Sequence, residues 1–116
     1  MQTIIHNHSI IELVSDKILI NNPQDFLSLM ANYRLDTFII KKENINPEFF
    51  DLCTGLAGEI LQKISNYQKR LAIIGDFSNL KSQALAAFIH ESNKTKQVIF
   101  VDSVEEALEI FSSKSN

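Results

Sequence analysis

The chain has 116 residues, of which 45% are hydrophobic and 22% are charged. These proportions are typical of one soluble globular domain with its own core. Eleven Lys/Arg residues stand against fourteen Asp/Glu residues, and the resulting net charge of −3 disfavours nucleic-acid binding, which needs a concentrated basic face. The single cysteine cannot form an internal disulfide, and no apolar run reaches the roughly 18 residues of a membrane-spanning helix. Because no signal peptide is recognisable either, we expect a cytoplasmic protein that contacts neither nucleic acid nor membrane.

The first third of the chain predicts a β-hairpin followed by a helix. Two apolar runs, Ile4-Ile5 and Ile10 to Val14, flank the polar residues Asn7 to Ser9, which suit a turn. Lys17 to Ile20 is also apolar but fits either a further strand or a loop. Asn22-Pro23 then opens a helix, because Asn is a favoured N-cap and Pro suits the first helical position. The apolar face of this helix consists of Phe26, Leu29, Met30 and Tyr33.

The middle of the chain predicts a buried strand and an interrupted helical region. Thr37 to Ile40 is a continuous apolar run, as expected for a strand covered on both faces. Asn46-Pro47 repeats the helix-opening pair, but Gly55 and Gly58 would each cost a helix interior about 1 kcal/mol relative to Ala. We therefore expect a short turn over residues 47–52 and a separate helix that starts near Thr54.

The last third predicts two strands and two helices. Leu71 to Ile74 and Val98 to Val101 are buried strands, and Ser78 is predicted to cap the helix between them. Ser103 and Glu106 form a capping box for the last helix. Residues 113–116 are expected to form a frayed tail, because they have nothing to bury.

Strands that alternate with helices indicate parallel pairing through right-handed crossovers. The predicted fold is therefore an α/β two-layer sandwich over residues 1–112, with a mixed, mostly parallel sheet of about five strands and about four helices. The N-terminal hairpin supplies the antiparallel pair.

Catalytic and metal-binding patterns are weak in this sequence. Zinc needs three or four ligands, and nothing in the spacing brings His6, His8, Cys53 and His90 together. Cys53 precedes a helix, whose N-terminus can lower the pKa of a thiol, but a nucleophilic cysteine also needs a base. Gly75-Asp76 follows a strand without either glycine-rich phosphate-binding pattern. We therefore expect no enzymatic activity, no metal and no cofactor.

The segment from Asp51 to Glu59 is the strongest candidate for a functional site. Thr54-Gly55 stands at a helix start, where backbone N–H groups can receive a phosphate, either bound there or carried covalently by the Thr54 hydroxyl. Gly55 and Gly58 would also let another backbone approach closely. Alternatively, Thr54 caps the helix and the glycines are packing contacts within the domain.

The order of elements and this segment resemble the STAS domains of bacterial anti-sigma-factor antagonists and of sulfate-transporter tails. In that family a pattern close to Asp-Ser-Ser-Gly-Leu-Gly opens a helix, and a partner kinase phosphorylates its second Ser. Cys53-Thr54-Gly55-Leu56 falls on Ser-Ser-Gly-Leu, so the resemblance places Thr54 at the phosphorylated position. Leu52 and Ala57 depart from the pattern, standing where the family has Asp and Gly.

Longer stretches are similar to an uncharacterised bacterial family, the domain of unknown function DUF4180. The resemblance rests on residues 47–51, 54–63, 71–77 and 90–94 and on Glu105 to Leu108. The chain is identified as a member of this family, which implies no activity of its own.

Together these patterns favour a domain that binds another protein, and that is regulated at Thr54. The expected surface lies around Cys53 to Gly55, beside the loop from Lys41 to Phe50, where the aromatic rings of Phe49 and Phe50 would be exposed. The alternative is a small-molecule or anion-binding protein, or a weak enzyme, that uses the same helix start with Asp51, Glu59 or Asp76 as polar companions. A homodimer in which this face pairs with itself is a third possibility.

Overall fold

A five-stranded mixed sheet lies at the centre of the computed structural model, which describes residues 1–112. Strand β1 pairs antiparallel with β2, whereas β2, β3, β4 and β5 are parallel neighbours, so the sheet follows the order of the chain. The predicted mixed, mostly parallel sheet is thereby confirmed. The strands are β1 (Gln2–His6), β2 (Ile10–Val14), β3 (Thr37–Lys41), β4 (Arg70–Ile74) and β5 (Val98–Val101).

Four α-helices and three short 3-10 turns connect or follow these strands. Right-handed crossovers that all advance in one direction place their helices on one face of the sheet. The fourth helix follows the last strand and packs on the other face. The helices are α1 (Pro23–Ala31), α2 (Leu56–Asn66), α3 (Gln83–Thr95) and α4 (Val104–Ser112), and the turns Lys42–Asn44, Pro47–Phe50 and Leu52–Thr54 lie between β3 and α2.

The sheet separates two apolar cores. Phe38 and Ile40 of β3 face the larger core under α1, α2 and α3, while Ile39 faces the smaller one. Ala107 and Phe111 of α4 cover this second face. The consecutive apolar residues of the parallel strands thus reflect burial on both sides, as expected from their lack of alternation. The sheet and α1 to α3 make the predicted two-layer sandwich, and α4 lies alone on the second face.

Two predictions about local structure are confirmed, and one undecided segment is resolved. The side chain of Asn22 accepts the N–H of Asp25 at 2.8 Å and caps α1. The region before α2 breaks into 3-10 turns, as the glycines indicated. Lys17 to Ile20 is a loop rather than a strand, and Asn44 fixes it by donating to the carbonyl oxygen of Lys17 at 2.8 Å.

The predicted cap of α3 is wrong by four residues. Ser82, not Ser78, accepts the N–H of Leu85 at 3.1 Å and begins the helix. Ser78 instead donates its hydroxyl to Asp76 at 2.6 Å within the loop after β4. The cap of α4 is as predicted, because Ser103 accepts a backbone N–H at 3.1 Å.

The expected fraying of residues 113–116 lies outside the described part of the chain. Within residues 1–112, no helix combines the length and the apolar character that crossing a bilayer requires.

Candidate functional site

The segment from Pro47 to Gly55 lies at the end of the sheet where the parallel strands finish. The ring of Phe50 is 6.1 Å from that of Phe77, which follows β4, and 6.5 Å from that of Phe100 on β5, measured between centroids. Ligand crevices form at this end of α/β sheets where the strand order reverses. Here the order never reverses, so the segment presents an outer surface rather than a deep crevice.

The hydroxyl of Thr54 links the two turns of this segment to the start of α2. Its Oγ lies 2.8 Å from the carbonyl oxygen of Glu48 and 2.9 Å from that of Asp51, and it donates its single proton toward this pair of acceptors. The same oxygen accepts the N–H of Leu56 at 3.2 Å. Thr54 is nevertheless exposed to solvent. The hydroxyl of one exposed residue therefore holds three separate backbone groups together.

The backbone N–H groups at the start of α2 are only partly free. Gly55 donates to the carbonyl oxygen of Leu52 at 3.3 Å, and the N–H of Leu56 is already bound to Thr54. The carboxylate of Asp51 accepts the N–H of Cys53 at 3.1 Å. Much of the hydrogen-bonding capacity that an anion would use is thus satisfied within the chain.

Gly55 and Gly58 are both exposed, and a Cβ added to either would meet no neighbouring atom within 4 Å. Gly55 occupies the cap position of α2 with φ of +79°, a left-handed conformation that glycine adopts without strain. Gly58 lies in the first turn of the helix, and a Cβ added there would meet no atom within 4 Å. Glu59 beside it is exposed. The interpretation of these glycines as packing contacts within the domain is therefore wrong.

The expectation that Phe49 lies on a contact surface is also wrong. Its side chain is 0% exposed and packs in the larger core, because the 3-10 turn directs it under the sheet end. Phe50, the next residue, is half-buried. Phe49 therefore anchors the segment in the core, whereas Phe50 presents an aromatic edge at the surface.

A cluster of aromatic rings lies beneath this segment, and no pattern in the sequence predicts it. Neighbouring rings lie 5.0–6.5 Å apart, mostly edge to face. The ammonium group of Lys42 lies 6.0 Å from the centre of Phe50 and 5.8 Å from that of Phe77, within the range of cation–π attraction. The cluster ties the candidate segment to β5 and α3, and it consists of Phe49, Phe50, Phe77, Phe88 and Phe100.

Asp76, which follows β4 at this end of the sheet, has a lowered pKa. The Ser78 hydroxyl donates to its carboxylate at 2.6 Å and the Ser78 N–H donates at 3.0 Å. These hydrogen bonds, and the nearby Lys42 ammonium, hold the pKa of the Asp76 carboxyl below its ordinary value. Asp76 is exposed and behaves as a turn residue with a stabilised negative charge.

Two shallow cavities adjoin the candidate segment. One, of about 370 Å³, is a mainly apolar cleft lined by Ile18, Lys42, Glu43, Ile45, Pro47 and Phe50. The other, of about 490 Å³, opens beside the start of α2 and is lined by Pro23, Gly55, Gly58, Glu59, Gln62 and Lys63. The segment therefore has an apolar depression on one side and a wider, open one at the helix start.

The remaining candidates do not converge on this place. His6 on β1 lies 2.8 Å from the carboxylate of Glu12 on β2, and His8 lies in the hairpin turn. His90 is exposed on α3, and the thiol of Cys53 is exposed. Among residues 1–112, no three His, Cys, Asp or Glu side chains gather as metal ligands would.

The fold and this surface define a small single-sheet α/β domain with an accessible threonine at a helix start. Residues 5–111 match the model of the family described as domain of unknown function, DUF4180, and the chain belongs to that family. No curated protein and no solved structure matches the chain.

Proposed function

We propose that this chain is a regulatory protein-interaction domain that acts by binding, not by catalysis. Its contact surface comprises the exposed residues of the Pro47–Gly55 segment together with the apolar cleft beside Phe50. The observation that carries the proposal is the placement of Thr54, an exposed residue whose hydroxyl bonds the backbone of Glu48, Asp51 and Leu56. In the STAS domains that this segment resembles, a partner kinase phosphorylates the residue at the position of Thr54, and the proposal extends that regulation to this chain.

Phosphorylation of Thr54 would break this arrangement for electrostatic reasons. The hydroxyl proton is lost, and a group of about −1.5 to −2 charge arises close to two carbonyl oxygens. The exposed carboxylates of Glu48 and Asp51 add like-charge repulsion. The two 3-10 turns would therefore separate from the start of α2, and the shape of the cleft beside Phe50 would change. A partner that recognises the closed segment would be released.

The proposal is tested with Thr54→Glu against Thr54→Ser. The serine variant keeps an oxygen that can make the same three hydrogen bonds, whereas the glutamate variant places a negative charge among the carbonyl oxygens. Tagged wild type and both variants are used as bait in native lysate, and captured proteins are quantified by mass spectrometry. We expect wild type and Thr54→Ser to capture the same protein and Thr54→Glu to lose most of it. Equal capture by all three would contradict regulation at Thr54.

Intact-mass measurement of the chain purified from its native cells provides the second test. A fraction of molecules heavier by one phosphate, with the modification mapped to Thr54, is the expected result. If a phosphate is found only at other residues, or is absent under every growth condition, regulation at Thr54 is contradicted. Binding of a protein partner is then judged by the capture experiment alone.

Small-molecule binding is the second candidate function, and the open cavity beside Gly55 and Gly58 favours it. A ligand there would contact the exposed backbone of Gly58, where even an added Cβ would meet no neighbouring side chain within 4 Å. Titration with inorganic phosphate and with a fragment library, followed by amide chemical shifts, tests it. Saturable shifts confined to Gly55–Lys63, and abolished in Gly58→Ile, would favour a ligand over a protein partner.

A further inference from the structure

The two edges of the sheet are protected very differently. At the β5 edge, the side chain of Asn93 forms two hydrogen bonds with Phe100, accepting its N–H at 2.7 Å and donating to its carbonyl oxygen at 3.2 Å. Ser92 donates to the carbonyl oxygen of Val98 at 2.6 Å. These outward-facing backbone groups of β5 are thus occupied by side chains of α3, and no further strand can pair with them without displacing the helix.

The β1 edge has no such protection among residues 1–112. No strand pairs with its outer side, and its register with β2 runs through five pairs without a bulge. Ile4 and Ile5 point to opposite faces and are 44% and 60% exposed. Natural edge strands are usually blunted by Lys, Pro, bulges or inward charges, and β1 has none of these.

We propose that β1 is an interface on which a second copy of this chain docks, by antiparallel pairing of the two β1 strands. A two-fold axis at Ile4 sets this residue opposite its own counterpart and sets Thr3 opposite Ile5 of the second copy. The two five-stranded sheets then become one continuous sheet. On one face Ile4 is then covered by Ile4 of the second copy, and on the other face Ile5 is covered by its Thr3.

The chemistry of β1 favours a second copy over an unrelated strand. The interface of a two-fold dimer must be self-complementary, because each residue meets the same surface on the partner. Gln2–His6 contains no Asp, Glu, Lys or Arg, so pairing two copies brings no carboxylates, ammonium groups or guanidinium groups of like charge together. His6 is already bonded to Glu12 of its own chain. Opposed β-branched pairs stabilise adjacent antiparallel strands. The interface uses none of the Pro47–Gly55 residues and is independent of the function proposed above.

The size of the interface sets the expected affinity. Pairing of two five-residue strands buries less than the roughly 1,200–2,000 Å² of a standard stable complex. We therefore expect a reversible dimer that forms as the protein concentration rises from the low micromolar to the millimolar range.

Sedimentation velocity over this range tests the proposal with two matched variants of the full chain. Ile4→Lys places two lysines opposite each other on the proposed axis, and Ile18→Lys alters an isoleucine of equal exposure, 44%, in the loop after β2. We expect wild type and Ile18→Lys to shift from the mass of one chain to that of two, and Ile4→Lys to remain at one. A wild type that stays monomeric throughout overturns the proposal, and so does dimer loss in Ile18→Lys alone.

Cysteine cross-linking provides a readout that does not depend on the lysine variant. Directly opposed residues of antiparallel strands have Cα atoms about 4.5–5.5 Å apart, within the range that a disulfide spans. In a Cys53→Ser background, Ile4→Cys is expected to form a covalent dimer on mild oxidation much faster than Ile18→Cys. Equal rates at the two positions would contradict pairing through β1.

Discussion

At the scale of single residues, Gly75 is a position where the chain has no room for a side chain. It follows β4, and a Cβ built on it would lie 2.9 Å from Cβ of Lys42 and 3.3 Å from the ring of Phe77. Because Cβ of Lys42 is fixed to the backbone, this contact cannot be relieved by a side-chain rotation. The absence of a side chain at Gly75 thus allows Lys42 to reach Phe50 and Phe77.

Alanine substitutions at two glycines should therefore change stability in opposite directions. We expect Gly75→Ala to lower the free energy of unfolding by about 1–3 kcal/mol, the usual cost of overpacking. Gly58→Ala is its control and should raise it by up to about 1 kcal/mol, because open space surrounds a helical position. Chemical denaturation measures both. A Gly75→Ala variant as stable as wild type would show that the end of β4 can shift freely.

The acidity of Asp76 is a second prediction at this scale. NMR titration should place its pKa below the ordinary value, and Ser78→Ala should move the pKa back upward, because the Ser78 hydroxyl is the main cause of the shift. A lowered folded-state pKa contributes stability above the pKa of the unfolded chain. That contribution disappears as the pH falls through the folded-state pKa. An Asp76 pKa unchanged by Ser78→Ala would contradict this assignment.

At the scale of elements, α3 ends in a conformation that suits glycine better than the residue present. Lys96 has φ of +58° at the helix end, whereas Lys94, two residues earlier, lies inside the helix. Lys96→Gly should therefore raise the free energy of unfolding by about 1 kcal/mol. Lys94→Gly should lower it by about 1 kcal/mol. Thermal or chemical denaturation compares the two, and equal effects of the same sign would contradict the prediction.

The hydrogen bonds between Asn93 of α3 and Phe100 of β5 lead to a second prediction at this scale. Asn93→Ala removes both partners of the Phe100 backbone, so we expect a loss of about 1–3 kcal/mol in the free energy of unfolding. Amide hydrogen exchange at Phe100 should accelerate markedly in this variant. Asn93→Asp keeps an acceptor for the N–H but no donor for the carbonyl oxygen, and should retain more of the protection. Unchanged exchange at Phe100 in Asn93→Ala would show that the edge is protected by other means.

At the scale of the whole molecule, one helix supports an entire face of the sheet. Phe111 of α4 is buried in the smaller core, with the guanidinium of Arg70 5.2 Å from the centre of its ring. Phe111→Ala should lower the free energy of unfolding by about 3–5 kcal/mol, and Phe111→Leu by much less. Chemical denaturation measures both. A small effect of Phe111→Ala would mean that α4 contributes little to the stability of the domain.

Much of the architecture could be predicted because it depends on local patterns. Continuous apolar runs such as Leu71 to Ile74 identify buried strands, and Asn22-Pro23 identifies a helix start, without knowledge of the rest of the chain. The cap of α3 could not be fixed in this way. Ser78 and Ser82 both precede the same apolar spacing, and only the hydrogen bond of Ser78 to Asp76 decides between them.

The candidate site was less predictable because it depends on contacts distant in sequence. The position of Thr54 at a helix start was recognisable, but its bonds to Glu48 and Asp51 depend on the 3-10 turns. The burial of Phe49 and the partial exposure of Phe50 follow from the path of the same turns, which no periodicity reveals. The aromatic cluster joins residues of four different segments, so its only signal in the sequence is the number of phenylalanines, eight.

The identity between strand order and chain order has a consequence for synthesis on the ribosome. N-terminal segments emerge first, and each new β-strand of this sheet can add to the edge that the preceding strand has just formed. No strand has to be inserted between two already paired neighbours. The helix that supplies Ser92 and Asn93 emerges before β5, so the groups that close the growing edge are already made when the last strand arrives. The nascent sheet can thus grow in one direction and end its own growth, while the β1 edge stays open from the first pairing onward.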